Sequence, residues 1–381
     1  LRCLVGSEMC IRYSFKRFVP GNLVYERQGP FLVEHGYVVK YFVSDNLPAQ
    51  TINGIQIIST GYKPSGYLKR IFIAPFYMFK KLRKENAAIY QTNSIDFLFI
   101  GLLLKLSGRK VVFNLTESHP YTIKNNRKIP VVLKKTLIFL LAQYMKFSLR
   151  KFDAVFTVSE NIVDYLKKWK VKKVYLLANF PVLNPHYKLN YNDYKNREDT
   201  VIYFGSIYEI SKQEHFIRAL EKLNGSVKYL LAGRFGDKNY ERSIQSMSFW
   251  KNIEFINGFA KEELPSLLAR ATISNVLRDF SLTGSPKGSL GVIKIFESME
   301  AALPIICSDV PVYRKIIEKY NCGILVDPND TDQIFKAIQF LIENKEKAYE
   351  MGQNGRRAVI EEFNWAKQAE MYGNIINEIL K

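Results

Sequence analysis

The chain has 381 residues, 47% of them hydrophobic, and a formal net charge of +19, which predicts two domains of ordinary size, each with a full core. Its four cysteines, Cys3, Cys10, Cys307 and Cys322, are scattered without a C-x-x-C pair; this argues against a disulfide framework or a zinc site and fits a reducing cytoplasm. The longest uninterrupted apolar run is Leu137–Ala142, so neither a secretion signal nor a membrane-spanning helix is expected.

The charge is uneven. Residues 1–180 carry 29 Lys and Arg against 10 Asp and Glu, while residues 181–381 carry 26 of each. The whole excess therefore belongs to the first half. Such a field either keeps the surface soluble or attracts an anionic partner such as a membrane surface or a lipid phosphate. Nucleic acid is not expected, because no interleaved basic and aromatic motif accompanies the charge.

In chain order, Cys3–Gly6 reads as a short strand followed by a loop to Asn22. Leu23–His35 reads as a helix weakened at Gly29-Pro30, Tyr37–Val43 as a strand and Ile55–Ser59 as another. A basic, aromatic helix is predicted over Tyr67–Arg83 with a bend near Pro75. Ala87–Gln91 is a strand, Phe97–Leu106 a helix closed by Gly108, and Lys110–Leu115 a strand that leads into Thr116-Glu117-Ser118-His119-Pro120. His119 reads as a loop residue. Ile129–Lys151 is a long helix mixing apolar residues with Lys134, Lys135, Lys146, Arg150 and Lys151. It is either a core helix with one solvated face or a helix lying on an anionic bilayer with its basic side chains snorkelling. Ala154–Val158 is a strand, Ser159 caps the next helix, and Val174–Leu177 is a strand before Ala178–Pro181. Residues 182–199 read as a linker. Strands over Val201–Gly205, Tyr229–Gly233, Ile253–Ile256 and Ile273–Leu277 continue the alternation of strand and helix. That alternation predicts doubly wound parallel sheets with ligands beyond the carboxyl ends of the strands.

The most informative stretch runs from Gly284 to Asp309. A Gly-rich loop feeds a helix in which Val292, Ile295, Phe296 and Met299 form one apolar stripe, with Lys294, Glu297 and Ala301 opposite. Ile305-Ile306-Cys307 follows as a buried strand. A loop entering a helix amino end suits an anion, because unpaired N–H groups and the helix dipole both face it. A surface Lys294–Glu297 pair is the plainer reading. Asp330, three residues before Gln333 at the start of an apolar-periodic helix, reads as an N-cap rather than a metal ligand.

KIFESMEAALPIICSD resembles the donor-site segment of the retaining glycosyltransferases of family 4, which have the GT-B fold. Glu297, Met299 and Pro304 stand at matching positions. IGLLLKLSGRKVVFNLTES and the strand ending at Gly205 resemble further segments of that family. The resemblance implies two Rossmann-like domains facing across a cleft, divided as 1–181, 182–362 and a C-terminal helix, 363–381, crossing back to the first domain. It further implies retaining, metal-independent transfer from a nucleotide-diphosphate sugar, with no cofactor beyond that donor substrate. Glu297 would hold the ribose. Gly205, Ser206, Lys212, Ser289, Leu290, Gly291, Val292 and Lys294 would line the diphosphate and sugar, with Lys212 meeting the departing charge. Lys212 also reads as an exposed lysine, and Glu117 as either an acceptor-site carboxylate or a capping one. The implied acceptor is a saccharide or lipid-linked chain, and the setting cytoplasmic or peripheral on a membrane. Thr116, Ser206 and Ser289 stand where the family has His, Arg and Glu, so a non-catalytic GT-B binding or scaffold protein is the rival reading.

Overall fold

The computed structural model describes residues 9–14, 24–116, 123–124, 130–185, 187, 189–283 and 285–381. The chain divides into two compact units, Leu1–Ala178 with Ala366–Lys381, and Asn179–Trp365.

In the first unit, β1 (Met9–Ser14) leads through a π-type turn at Val24–Gln28 into α1 (Gly29–Glu34) and β2 (Val38–Val43). The expected loop up to Asn22 is therefore interrupted by a strand. The residues of Cys3–Gly6 lie outside those described. A short β3 (Gln50–Ile52) pairs antiparallel with β4 (Ile55–Ser59). The predicted bent helix is two helices, α2 (Tyr67–Phe72) and α3 (Ala74–Leu82), divided at Ile73. Pro75 sits in the first turn of α3, the one place in a helix where a missing N–H costs nothing. Then come β5 (Ile89–Thr92), α4 (Leu98–Leu106), β6 (Val111–Leu115), α5 (Val131–Leu149), β7 (Ala154–Thr157), α6 (Glu160–Lys168) and β8 (Val174–Leu176). The sheet order is β3-β4-β2-β1-β5-β6-β7-β8, parallel except for β3. Its central strands are buried on both faces, as β6 and β7 show along their whole length. That accounts for their unbroken apolar sequences. At the carboxyl ends of β5 and β6 the Nε2 of Gln91 donates to Asn114 (2.7 Å) and to Gln28 (3.2 Å), a buried amide cluster.

The second unit begins at Asn179. The sequence placed the boundary three residues later, but the Phe180 ring packs on Phe296 and Phe363, and Pro181 accepts a hydrogen bond from the Trp365 N–H at 2.7 Å. The expected linker contains α7 (Tyr191–Lys195), capped by the Asn190 side chain. Buried Tyr194 fixes it by donating to the Thr272 carbonyl at 2.9 Å. After it come β9 (Thr200–Phe204), α8 (Gln213–Glu221), β10 (Lys228–Gly233), α9 (Lys238–Gln245), β11 (Ile253–Asn257), α10 (Leu264–Leu268), β12 (Ile273–Val276), α11 (Ile293–Glu300) and β13 (Ile305–Ser308). The unit ends with α12 (Pro311–Tyr320), β14 (Gly323–Val326), α13 (Thr331–Glu343) and α14 (Lys345–Glu361). The order β11-β10-β9-β12-β13-β14 is parallel throughout. Asp330 does cap α13, accepting from the N–H groups of Asp332 and Gln333.

The last helix, α15 (Trp365–Leu380), returns to the first unit. Tyr372 packs against Phe31 and Phe156, and Lys110 Nζ donates to the Leu380 carbonyl at 2.7 Å.

The order of the second sheet puts β9 between β10 and β12, so the ends of these strands lie side by side. There the backbone of Gly233 approaches Gly205 so closely that a Cβ on Gly233 would lie 1.8 Å from the Gly205 carbonyl oxygen. Backbone cannot yield as a flexible side chain can. We expect Gly233→Ala to lower unfolding stability by about 1–3 kcal/mol or more, read by denaturant unfolding. An unchanged midpoint would show that the two strand ends are free to separate.

Candidate functional site

The carboxyl ends of β9, β12 and β13 hold most of the residues singled out in the sequence. Gly205 follows β9 with φ +99° and donates its N–H to the Ala232 carbonyl at 2.8 Å. Ser206 is exposed, and its carbonyl accepts from the Tyr203 hydroxyl at 2.9 Å. The chain then runs beside the segment after β10, with Ile207 N–H on the Arg234 carbonyl and Gly236 N–H on the Ile207 carbonyl, both at 3.0 Å.

Lys212 occupies the left-handed region, φ +51°, at the amino end of α8. Its ammonium lies 3.2 Å from the Asp279 carboxylate, with both side chains largely buried. Asp279 comes from the loop after β12, and its N–H donates to the Ile210 carbonyl at 2.7 Å. The two loops are thus joined by an ion pair and a backbone bond. Burial pushes the pKa of Asp279 up, but hydrogen bonds from Ser281 and Lys212 outweigh it and hold the carboxyl below its ordinary range. Asp279 is therefore a carboxylate at neutral pH. Lys212 is neither the exposed lysine nor an unengaged phosphate ligand: it already has a carboxylate, which no feature of the local sequence announces.

Lys294 is placed differently. Its ammonium sits 3.7 Å from the centroid of the Tyr203 ring and 5.9 Å from that of Phe204. A Cβ on Gly205 would lie 3.5 Å from the same nitrogen. Half-buried Lys294 therefore stands against the Gly205 backbone. Among the described residues it has no carboxylate partner, so the alternative Lys294–Glu297 surface pair is not formed. A cation held on an aromatic face keeps its charge available to an anion.

The helix that carries Lys294 starts later than its apolar stripe predicts. Ser289, Leu290, Gly291 and Val292 form a turn ahead of α11. Ser289 Oγ accepts from the Gly291 N–H at 3.1 Å, and the Ser289 carbonyl accepts from the Val292 N–H and, at 3.3 Å, from the Tyr313 hydroxyl. A hydroxyl bonding the backbone two residues on competes with helix formation, and that defers the first helical residue to Ile293. Among the described residues the N–H groups of Leu290, Ile293 and Lys294 have no hydrogen-bond partner, whereas those of Gly291 and Val292 do. Ala301, expected on the solvated side, is buried in the core cluster that includes Leu303 and Phe204.

Glu297 lies one turn further along α11, half-buried, close enough to Tyr187 to affect its ionisation. Burial first, then the charges of Glu300 and Glu297, keep the Tyr187 hydroxyl protonated. Glu300, at 4% exposure, is the more constrained carboxyl. It accepts from the Asn184 N–H, while Arg356 Nη1 donates to its backbone carbonyl at 2.9 Å. Burial, opposed by that Asn184 bond and aided by neighbouring Glu297, raises Glu300 from its ordinary 4.5 to about 7. Glu117 and His119 lie outside the described residues; Thr116 just precedes them, exposed after β6. Sequence reasoning missed Tyr203, Asp279 and Glu300. Only Glu300, a charge inside an apolar run, left a local signal.

The raised Glu300 has a pH consequence. The folded state binds its proton more tightly than the unfolded chain, so stability falls as pH rises from about 4.5 through about 7. We expect the melting temperature of the wild-type chain to decline between about pH 5 and pH 8. Glu300→Gln keeps an acceptor for Asn184 and should flatten that decline. Parallel profiles for the two proteins would remove Glu300 as the titrating group.

Comparison with known proteins gives this arrangement its setting. Residues 191–358 match the family described as glycosyl transferases group 1. Alpha-maltose-1-phosphate synthase of Mycolicibacterium smegmatis is 32% identical over 96 residues, 24% of each chain, so the match spans about a quarter of that relative. The structure of sucrose-phosphate synthase from Thermosynechococcus elongatus is 18% identical with a TM-score of 0.75, over 98% of this chain and 99% of that one. Anabaena HepE in complex with UDP and glucose is 13% identical with a TM-score of 0.71, over 97% and 99%. Those structural likenesses run the length of both units and identify their architecture as GT-B. The likeness to the glycosyl transferases group 1 model thus falls within the second unit, over residues 191–358.

Proposed function

We propose that the chain transfers a sugar from a nucleotide-diphosphate donor to a saccharide or lipid-linked acceptor, with retention and without a metal. One observation carries the donor half of this reading: the Lys294 ammonium, half-buried against the Gly205 backbone on the Tyr203 ring, with no carboxylate among the described residues to neutralise it. A diphosphate resting there would meet that charge and the N–H groups of Ile293 and Lys294, where the helix dipole adds to the attraction. As the bond to the sugar breaks, negative charge builds on the departing phosphate. Fixed donors aimed at that charge lower the barrier more than they stabilise the bound donor. Lys212 joins by exchanging Asp279 for phosphate or by keeping Asp279 and shaping the loop. Glu297 is assigned to the ribose hydroxyls and Glu117 to the acceptor. The HepE structure with UDP and glucose supports a nucleotide sugar as the ligand class. The basic first half supports an acceptor presented at an anionic membrane surface on the cytoplasmic side.

The Lys212–Asp279 pair favours a second reading. With Lys212 neutralised, and Ser206 and Ser289 in place of Arg and Glu, the unit has fewer groups for catalysis and suits a protein that binds nucleotide without transfer.

Thermal shift against UDP, ADP and GDP, with chelator present, tests the donor site, since a ligand bound only by the folded form raises its melting temperature. Lys294→Ala should weaken that binding by about tenfold to a hundredfold, the loss of one charge-assisted contact. Binding unaffected by Lys294→Ala would refute the assignment. Assaying a panel of nucleotide sugars for transfer separates the two readings, and the anomeric configuration of any product decides retention.

A further inference from the structure

We propose that α2, α3, the amino end of α4 and the amino half of α5 form a docking face that inserts into an anionic lipid bilayer. The proposal rests on the reading of a membrane-presented acceptor for its purpose, but its physical basis is separate from the donor site.

The sequence left α5 open between a core helix and a bilayer helix. Only Met145, Ser148 and Leu149 of its 19 residues are buried. Val132 is 85% exposed, and Leu133, Leu137 and Leu140 are exposed as well. A core helix with a solvated face would turn its lysines outward and its leucines inward; this one exposes both. In α2 and α3 the same is seen at Leu68, Phe72 (72% exposed) and Phe76, and in α4 at Phe99. Single exposed apolar residues are ordinary, but a contiguous patch of large ones marks an interaction surface.

The topology makes the patch contiguous. The steps β4 to β5, β5 to β6 and β6 to β7 all move the same way across the sheet. Right-handed crossovers therefore put α3, α4 and α5 on one face. The segments α2, the start of α4 and the start of α5 each follow the carboxyl end of a strand. Arg70 of α2 is bound by Asp96, just before α4, at 2.6 Å and 2.9 Å, and α4 packs on α5. The exposed side chains thus gather along the carboxyl edge of the first sheet, where ligands of such folds are received.

Charge selects the occupant. From Tyr67 to Lys84 the chain has six Lys and Arg and no acid, and from Pro130 to Lys151 five and no acid. A second copy would bring these cations against themselves, whereas anionic headgroups neutralise them while the apolar side chains enter the acyl boundary. No described helix is long and apolar enough to cross a membrane, so α5 lies in the interface, its lysines snorkelling to the headgroups.

Flotation of the full chain with vesicles of phosphatidylcholine alone, or of equal parts phosphatidylcholine and phosphatidylglycerol, tests this. Binding to the phosphatidylglycerol vesicles is expected. It should fall by roughly tenfold or more in Phe72→Glu/Phe76→Glu and in Val132→Glu/Leu140→Glu. These positions are exposed, so the variants should keep the wild-type melting temperature and the wild-type response to nucleoside diphosphates. The Phe72→Trp variant should shift its fluorescence to the blue with those vesicles and not with phosphatidylcholine alone. Binding that survives the Glu substitutions, or emission from the Phe72→Trp variant that stays that of an indole in water, overturns the proposal. So does a dimer of the chain, seen by light scattering, that the Glu substitutions dissolve in the absence of any vesicle binding. A wild-type chain that ignores the vesicles yet binds nucleotide would sink the membrane face alone and leave the donor reading standing.

Discussion

The second unit depends on how closely the backbone after β9 lies against the backbone that ends β10. Gly205 and Gly233 meet at a distance no side chain would permit, and the Gly205 N–H is bonded to Ala232. This contact turns the chain after Phe204 alongside the segment after Ala232. It leaves the space beside Gly205 for a lysine that arrives from far later in the sequence. Lys294 reaches that space because α11 packs on β12, tied to it by the Ser274–Ser298 hydroxyl pair at 2.7 Å, with Ile295 and Met299 of the same helix buried. The site's electrostatics are thus a product of packing: the core fixes the helix, the helix fixes the ammonium, and the glycines leave it room.

Two lysines in the same unit show how environment divides one residue type into two roles. Lys212 is held by a buried carboxylate that is itself held by Ser281, an arrangement that braces two loops. Lys294 is held by an aromatic ring, which orients the charge without cancelling it. The first arrangement stores a cation in an ion pair whose desolvation is already compensated. The second leaves the cation without a carboxylate partner among the described residues. This difference in partners is why the donor reading leans on Lys294 more than on Lys212.

Much of the architecture was legible in the sequence because buried parallel strands are written as short apolar runs. Ile55–Ser59 was read with the bounds observed, Lys110–Leu115 was read one residue too long, and Pro75 signalled the break between α2 and α3. Features written in polar or mixed residues were harder. The strand over Met9–Ser14 contains Arg12 and Ser14, and α7 lies in a stretch dominated by Asn, Tyr and Lys; a long-range bond from Tyr194 fixes it there. The start of α11 was misjudged because Ser289 spends its hydroxyl on its own backbone, a choice periodicity does not register. Around the candidate site, Gly205, Lys294 and Glu297 are singled out by likeness to a family. Tyr203 and Asp279 are not, because each acts on a lysine far away in sequence, and only the folded sheet order makes them neighbours.

The passage of the chain between the units has a consequence for its synthesis. The polypeptide leaves the first unit after Ala178, completes the whole of the second, and returns at Ala366. On the ribosome, the later unit has all its strands and helices available before the earlier one has its last helix. Until that helix emerges, the surface that takes Tyr372, and Lys110, which bonds the Leu380 carbonyl, stand uncovered. The half of the protein made first is therefore the half finished last.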